Sequence, residues 1–278
     1  MTLIVVALLA AAGGLAVAAA SVLRWAAAHS DDMLAAAGRA TVRLHMQRMA
    51  SLAARLRPPW LFGMSTALGL VVVTSAAVGA GVLMEDVTDG DGVAALDHPV
   101  AGFVAAHRTG ALTTVMRAAS SAGGPVVLGI FTVAAGVVLG IIWRSRAAVL
   151  VAGMTVVGNG VLTLALKQAV ARPRPPLSGG LAAADGYAFP SGHAATAAAA
   201  FGVLAFLCGG PLRAWTARVA LWAAAAMLAT LVGISRIYLG VHWTTDVLGG
   251  WAFGALWLAV VVTGSTVLAH GRSGRGSS

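Results

Sequence analysis

The chain has 278 residues, of which 59% are hydrophobic and only 10% charged, and its mean hydropathy is +0.89. A soluble domain of this length has too little interior to bury that much apolar surface, which excludes a water-soluble globular protein and predicts an all-α, polytopic membrane helix bundle. The formal charge of +9 rests on one lysine and seventeen arginines; in so apolar a chain it reports topology before any nucleic-acid partner, and no nucleic-acid-binding module is present. The single cysteine, Cys208, excludes an intramolecular disulfide and a cysteine-based metal cluster.

Seven stretches approach the roughly 20 apolar residues that a hydrocarbon core requires. They lie near 2–22, 60–84, 125–143, 147–166, 192–210, 218–235 and 246–268. The first resembles a secretory signal in its small residues at Ala18 to Ala20, but it lacks the positive segment that precedes such signals, so a retained span is expected. Between it and the second, residues 30–57 read either as a basic helix lying on the inner membrane surface, with Val42, Met46, Met49, Ala53 and Leu56 on one face, or as a plain orientation signal. Pro58 and Pro59 then stop that segment.

The outer connection at 85–124 contains Asp89-Gly90-Asp91-Gly92, which reads as a turn because no glutamate follows to complete a calcium loop. Residues 94–107 read as a short amphipathic helix through Leu96, Val100, Phe103 and Val104, with Gly110 beyond its end.

Arginine placement orients the spans. Arg24, Arg39, Arg43, Arg48, Arg55, Arg57, Arg144, Arg146, Arg213, Arg218, Arg272 and Arg275 fall on alternate connections, which become cytoplasmic. The N-terminus is then outside and the C-terminus inside. This divides the chain into an N-terminal span and surface helix at 1–58, a six-span core at 59–270 and a short disordered tail at 271–278.

Three polar clusters fall on the outer side. Lys167, the only lysine, closes the fourth span and precedes Arg172-Pro173-Arg174-Pro175; a lysine at a span end can simply snorkel to the interface, but with the two arginines it places positive charge against the orientation rule, as an anion site would. Pro190-Ser191-Gly192-His193 opens the fifth span, where Ser191 is a natural N-cap and the Gly192 and His193 amides are free first-turn donors. Ser235-Arg236, then His242 and Asp246, occupy the gap before the last span. His242 and Asp246 are four apart, so a helix beginning near His242 would bring them within hydrogen-bond reach on one face. The alternative is that Arg236 caps the preceding helix and the other two sit at a wet interface.

Lysine, six residues, arginine-proline; proline-serine-glycine-histidine; and serine-arginine, five residues, histidine, three residues, aspartate: in this order, the blocks resemble the pattern of the type 2 phosphatidic acid phosphatase superfamily, with no departure at a pattern position. The resemblance is strongest from 167 to 250. It implies an integral-membrane lipid phosphatase in which His242 attacks phosphorus and forms a phosphohistidine, Asp246 orients its ring, and His193 protonates the leaving oxygen. Lys167, Arg174, Ser191, Gly192 and Arg236 would hold the phosphate oxygens. Arg172, one residue outside the pattern, would have a supporting or diphosphate-binding role, with Pro175 and Pro190 shaping the loops. No cofactor and no metal are implied, because the cationic side chains supply the charge a metal would.

The implied substrates are lipid phosphates or diphosphates reaching the outer face of the plasma membrane from the bilayer, with a prenyl diphosphate such as undecaprenyl diphosphate first, and phosphatidic acid or phosphatidylglycerol phosphate next. A lipid phosphotransferase of the same superfamily, or a non-catalytic lipid-binding or transport protein, are the competing readings; oligomeric state is not legible.

Overall fold

The computed structural model describes residues 59–176, 181–182, 185–212 and 214–274, and all regular structure among them is helical. The expected first span and the basic surface helix at 30–57 lie outside the described residues. In chain order the elements are α1 (Pro59–Asp89), a 3-10 turn (Gly92–Leu96), α2 (Asp97–Ala106), α3 (Gly110–Ala122), α4 (Pro125–Ile142), α5 (Arg146–Val170), α6 (Gly192–Gly209), α7 (Trp215–Tyr238) and α8 (Thr244–Gly274).

Each of the last six expected spans coincides with one of these helices, 125–143 and 192–210 running one residue past the helix end. Among the described residues, α4, α5, α6, α7 and the Thr244–Leu268 part of α8 are long and apolar enough to cross a bilayer. Helix α8 continues to Gly274, and 275–278 of the expected tail lie outside the described residues.

Local chemistry sets the helix ends. Ser145 accepts the Ala147 N–H (3.3 Å) to start α5, and Pro125 stands in the first turn of α4, where its missing N–H costs nothing. Ala171 ends α5 in the left-handed region (φ 49°), a conformation that costs a non-glycine residue about 1 kcal/mol and turns the Arg172–Pro175 run back across the bundle end.

The centre of the bundle is α6 against α8. Small residues make the approach close: a Cβ on Gly250 would stand 2.6 Å from the Ser191 carbonyl oxygen, and one on Gly254 would overlap the carbonyl of Ala195. The peripheral helices instead turn apolar side chains outward, among them Val126, Ile130, Ile141 and Met227, an arrangement suited to hydrocarbon rather than water.

The 85–124 connection is more structured than expected. Its Asp-Gly-Asp-Gly stretch is a turn, with Gly90 and Gly92 at positive φ and Asp86 Oδ2 accepting the Val93 N–H (2.9 Å). Gly110, read as lying beyond a helix end, begins a further helix, α3, which Thr109 caps by accepting the Leu112 N–H (3.4 Å).

Candidate active site

Four long helices deliver polar residues to one end of the bundle. Lys167 lies in the last turn of α5, Ser191 and His193 at the start of α6, Arg236 in the last turn of α7 and Asp246 in the first turn of α8. Because the four are successive and run alternately up and down, these ends share one face. Arg236, His242, Arg174 and Lys167 all lie within electrostatic range of His193, so the three sequence clusters form one constellation.

The His242–Asp246 pair forms differently from the expectation. Helix α8 starts at Thr244, so His242 stands in the turn before it and the two residues do not share a helical face. Asp246 instead reaches back from the third helical position, as the acidic member of a capping box does, and accepts the Trp243 N–H at 2.8 Å. The same oxygen, Oδ2, lies 3.3 Å from His242 Nδ1. With Asp246 as acceptor, Nδ1 carries the ring proton and Nε2 keeps its lone pair, which faces Arg174 Nη1 at 3.1 Å.

His242 is 3% exposed. That burial pushes its pKa down to about 4, against the hydrogen bond and charge of Asp246, with Arg174 and Arg236 pushing further down. The ring is therefore neutral at pH 7, with Nε2 unprotonated. In 15N-histidine-labelled protein, with the signal assigned by its loss in His242→Ala, we expect a titration near pH 4; a midpoint at or above 6.5 would make it an ordinary solvated histidine.

Arg174 fastens the loops. Its guanidinium donates to the carbonyls of Val241 (2.7 Å), Asp185 (2.8 Å) and Gly186 (2.9 Å), tying the turn before α8 to the segment before α6. Burial draws its pKa down, countered by Asp246 and Asp185, and it stays a cation at neutral pH. Lys167 Nζ donates to the carbonyls of Tyr187 and Ala188, at 2.5 and 3.3 Å. The main chain completes the join, since Ser191 N–H donates to the Asp246 carbonyl at 2.8 Å.

Ser191 caps α6 only loosely, accepting the Ala194 N–H at 3.5 Å. A Cβ on Gly192 would meet only Thr163 Cγ2, at the ordinary distance of 3.7 Å, so packing does not require glycine there. Pro175 and Pro190 are buried, the latter after a cis peptide bond, and His193 Nε2 lies close to Gly124 at the α3–α4 turn. Arg236 is 5% exposed and donates from Nη1 to Ser120 Oγ of α3, while its Nε is buried with no protein partner.

Arg172 is engaged by protein partners, as the supporting role expected for it would have it. It donates from Nη1 to Asp246 Oδ1 (2.7 Å) and Thr245 Oγ1 (2.8 Å), and from Nη2 to Asp97 Oδ2 (2.8 Å). Asp97 and Ser120 had no part in the sequence reading of the site. The amphipathic helix at 94–107 pointed to the element that carries Asp97, and Thr109 followed by Leu112, Met116 and Ala119 at helical spacing was the available signal for the one that carries Ser120.

A model of the PAP2 superfamily matches residues 147–267, a segment that holds all three clusters but neither Asp97 nor Ser120. Phosphatidylglycerophosphatase B of Bacillus subtilis (strain 168) is 39% identical over 97 residues, covering 34% of this chain and 47% of that protein. Undecaprenyl-diphosphatase of Sulfolobus acidocaldarius is 37% identical over 73 residues, covering 26% and 31%. The chain thus spans less than half the length of these curated relatives. The crystal structure of a transmembrane PAP2 type phosphatidylglycerolphosphate phosphatase from Bacillus subtilis matches with a TM-score of 0.61 at 26% identity, over 73% of this chain and 96% of that one. Motif blocks, helical membrane fold and family match fall together, and over residues 147–267 the chain is similar to the PAP2 superfamily.

Proposed function

We propose that the chain is a membrane lipid phosphatase working through a phosphohistidine at His242. The observation that carries this reading is the buried, neutral His242 ring, held through Nδ1 by Asp246 with its Nε2 lone pair among cations. In the first step Nε2 attacks phosphorus, the P–N bond forms, and the bond from phosphorus to the lipid oxygen breaks opposite it. His193 gives its proton to that leaving oxygen. Asp246 steadies the positive charge that appears on the His242 ring.

In the second step neutral His193 takes a proton from water, the resulting hydroxide attacks phosphorus, the P–N bond breaks and phosphate leaves with His242 restored. Lys167, Arg174 and Arg236, with the Gly192 amide and Ser191 hydroxyl, hold the equatorial oxygens through both steps. The unpartnered Nε of Arg236 supports that role, since an anionic oxygen would satisfy it.

The engagement of Arg172 by two carboxylates leaves three cations, enough for one phosphate group, and favours a lipid monophosphate of the phosphatidylglycerol phosphate or phosphatidic acid kind. This reorders the expectation from the sequence, in which a prenyl diphosphate stood first, and the names of the relatives leave both in play. The arginine distribution supports a plasma-membrane protein with this site on the extracytoplasmic face, where a lipid enters sideways with its tail in hydrocarbon.

The test is inorganic phosphate release by detergent-purified protein with a chelator present, across phosphatidylglycerol phosphate, phosphatidic acid, prenyl phosphate and prenyl diphosphate. We expect chelator-resistant release with a monophosphate preferred. A larger rate on the diphosphate would return the substrate to the prenyl class; release only when a divalent metal is restored would overturn the metal-independent mechanism. Absence of release from folded protein, with label transferred to an alcohol acceptor, would reassign it as a phosphotransferase.

A further inference from the structure

Helix α8 begins without a capping side chain of its own at the residue that precedes it: Trp243 offers an indole, whose Nε1 donates elsewhere, to the Pro173 carbonyl at 3.1 Å. The acceptor for its first-turn amides comes from a distant part of the chain. Asp97, at the start of α2 and 148 residues away, accepts the Thr245 N–H through Oδ1 at 3.0 Å. Its other oxygen, Oδ2, accepts the Thr245 hydroxyl and Arg172 Nη2. Asp97 is 1% exposed, so this carboxylate is committed to these partners and does not face solvent.

The consequence runs through Arg172. Its two terminal nitrogens bridge two carboxylates, Asp97 on one side and Asp246 on the other, while its guanidinium carbon lies 5.6 Å from the centre of the Trp243 ring. A planar fork held at both ends has little freedom to rotate. It occupies Asp246 Oδ1, which leaves Oδ2 for His242 Nδ1 and the Trp243 amide. Without the Asp97 anchor, Arg172 could swing and take both Asp246 oxygens, in competition with the histidine.

We infer that Asp97, acting through Arg172 and Thr245, is a positioning residue that aims Asp246 and thereby sets the tautomer and direction of His242. It belongs to the connection between α1 and α4, outside the segment the family model covers, and touches neither His242 nor the phosphate-holding side chains. The inference rests on His242 being the nucleophile. That reading has its own test in the His242 dependence of phosphate release by the otherwise unchanged protein, so the two can fail separately.

Asp97→Asn keeps the shape and removes the charge, and is expected to lower kcat about 10²-fold, the scale of an ångström-sized misplacement in a site. KM stays within about threefold, because the phosphate-holding groups are untouched. Rates are taken per orthovanadate-binding site, which removes any inactive fraction from the comparison. Wild-type protein is expected to show the Nδ1–H form of His242 in 15N spectra, and Asp97→Asn to mix in the Nε2–H form; a merely structural contact would leave that signal alone. Thr245→Val, which removes only the hydroxyl link, serves if Asp97→Asn does not fold, with a loss of about tenfold and the same spectral change. Wild-type kcat per site in a folded variant, or a loss of rate with the His242 tautomer unchanged, would overturn the inference.

Discussion

Replacing His242 by alanine is expected to lower kcat by about four to six orders of magnitude, the loss seen when a covalent nucleophile is removed from a site that works as a unit. The size follows from the surroundings. Nε2 is the ring atom turned toward Arg174, and Nδ1 is already committed to Asp246, so the ring has one reactive position and one orientation. Neither His193 nor a water activated by it could replace His242 in the first step, because the attacking atom must lie opposite the leaving oxygen while His193 serves that oxygen. Binding should survive, since Lys167, Arg174 and Arg236 retain their charge, and their loop contacts to the Val241, Gly186 and Tyr187 carbonyls do not involve the imidazole. Two measurements check this: phosphate release, and acid-labile, base-stable labelling of the protein by 32P-labelled substrate. Both should vanish while orthovanadate still binds. Phosphate release by His242→Ala at the wild-type rate would remove the phosphohistidine from the mechanism.

The long helices and the three polar blocks were legible because each is written in local sequence. Span length is a count of apolar residues, and the pairing of His242 with Asp246 needs only a spacing of four. Even there the physics differed from the simplest reading: Asp246 reaches back as a cap, and a helix starting at Thr244 delivers the same two residues by another route. Asp97 and Ser120 were not legible for the opposite reason. Their partners stand 75 and 116 residues away, and no periodicity announces a contact made across a bundle end. Asp97 is one of several acidic residues in the 85–124 connection, where charge usually means solvent; its near-complete burial is a property of packing. Arg172 shows the same limit, since the sequence left it between a supporting and a diphosphate-binding role and only the fold shows the two carboxylates that engage it.

Arg174→Ala is expected to lower kcat/KM by about 10³-fold, more than the roughly 10² of a single lost oxyanion donor at the lower end of such effects. The excess comes from its second function. One guanidinium bonds the carbonyls of Val241, Asp185 and Gly186 and approaches His242 Nε2, so its removal frees the turn that carries the histidine as well as deleting a cation. Three carbonyls would lose a charged donor at once, and the turn before α8 would keep its link to Asp246, the Trp243 Nε1 bond to the Pro173 carbonyl and the backbone bonds within it. Arg174→Lys separates the two functions. A lysine restores the positive charge but has a single nitrogen on a flexible stem and cannot span acceptors contributed by two loops. We therefore expect it to recover no more than about tenfold of the loss, with orthovanadate affinity improving more than kcat, because charge aids binding and the loop geometry governs attack. The check is a parallel measurement of kcat, KM and orthovanadate inhibition in wild type, Arg174→Ala and Arg174→Lys. Full recovery in the lysine variant would reduce Arg174 to a point charge beside the phosphate and leave the fastening of the two loops to the Ser191–Asp246 backbone bond and the Trp243–Pro173 bond.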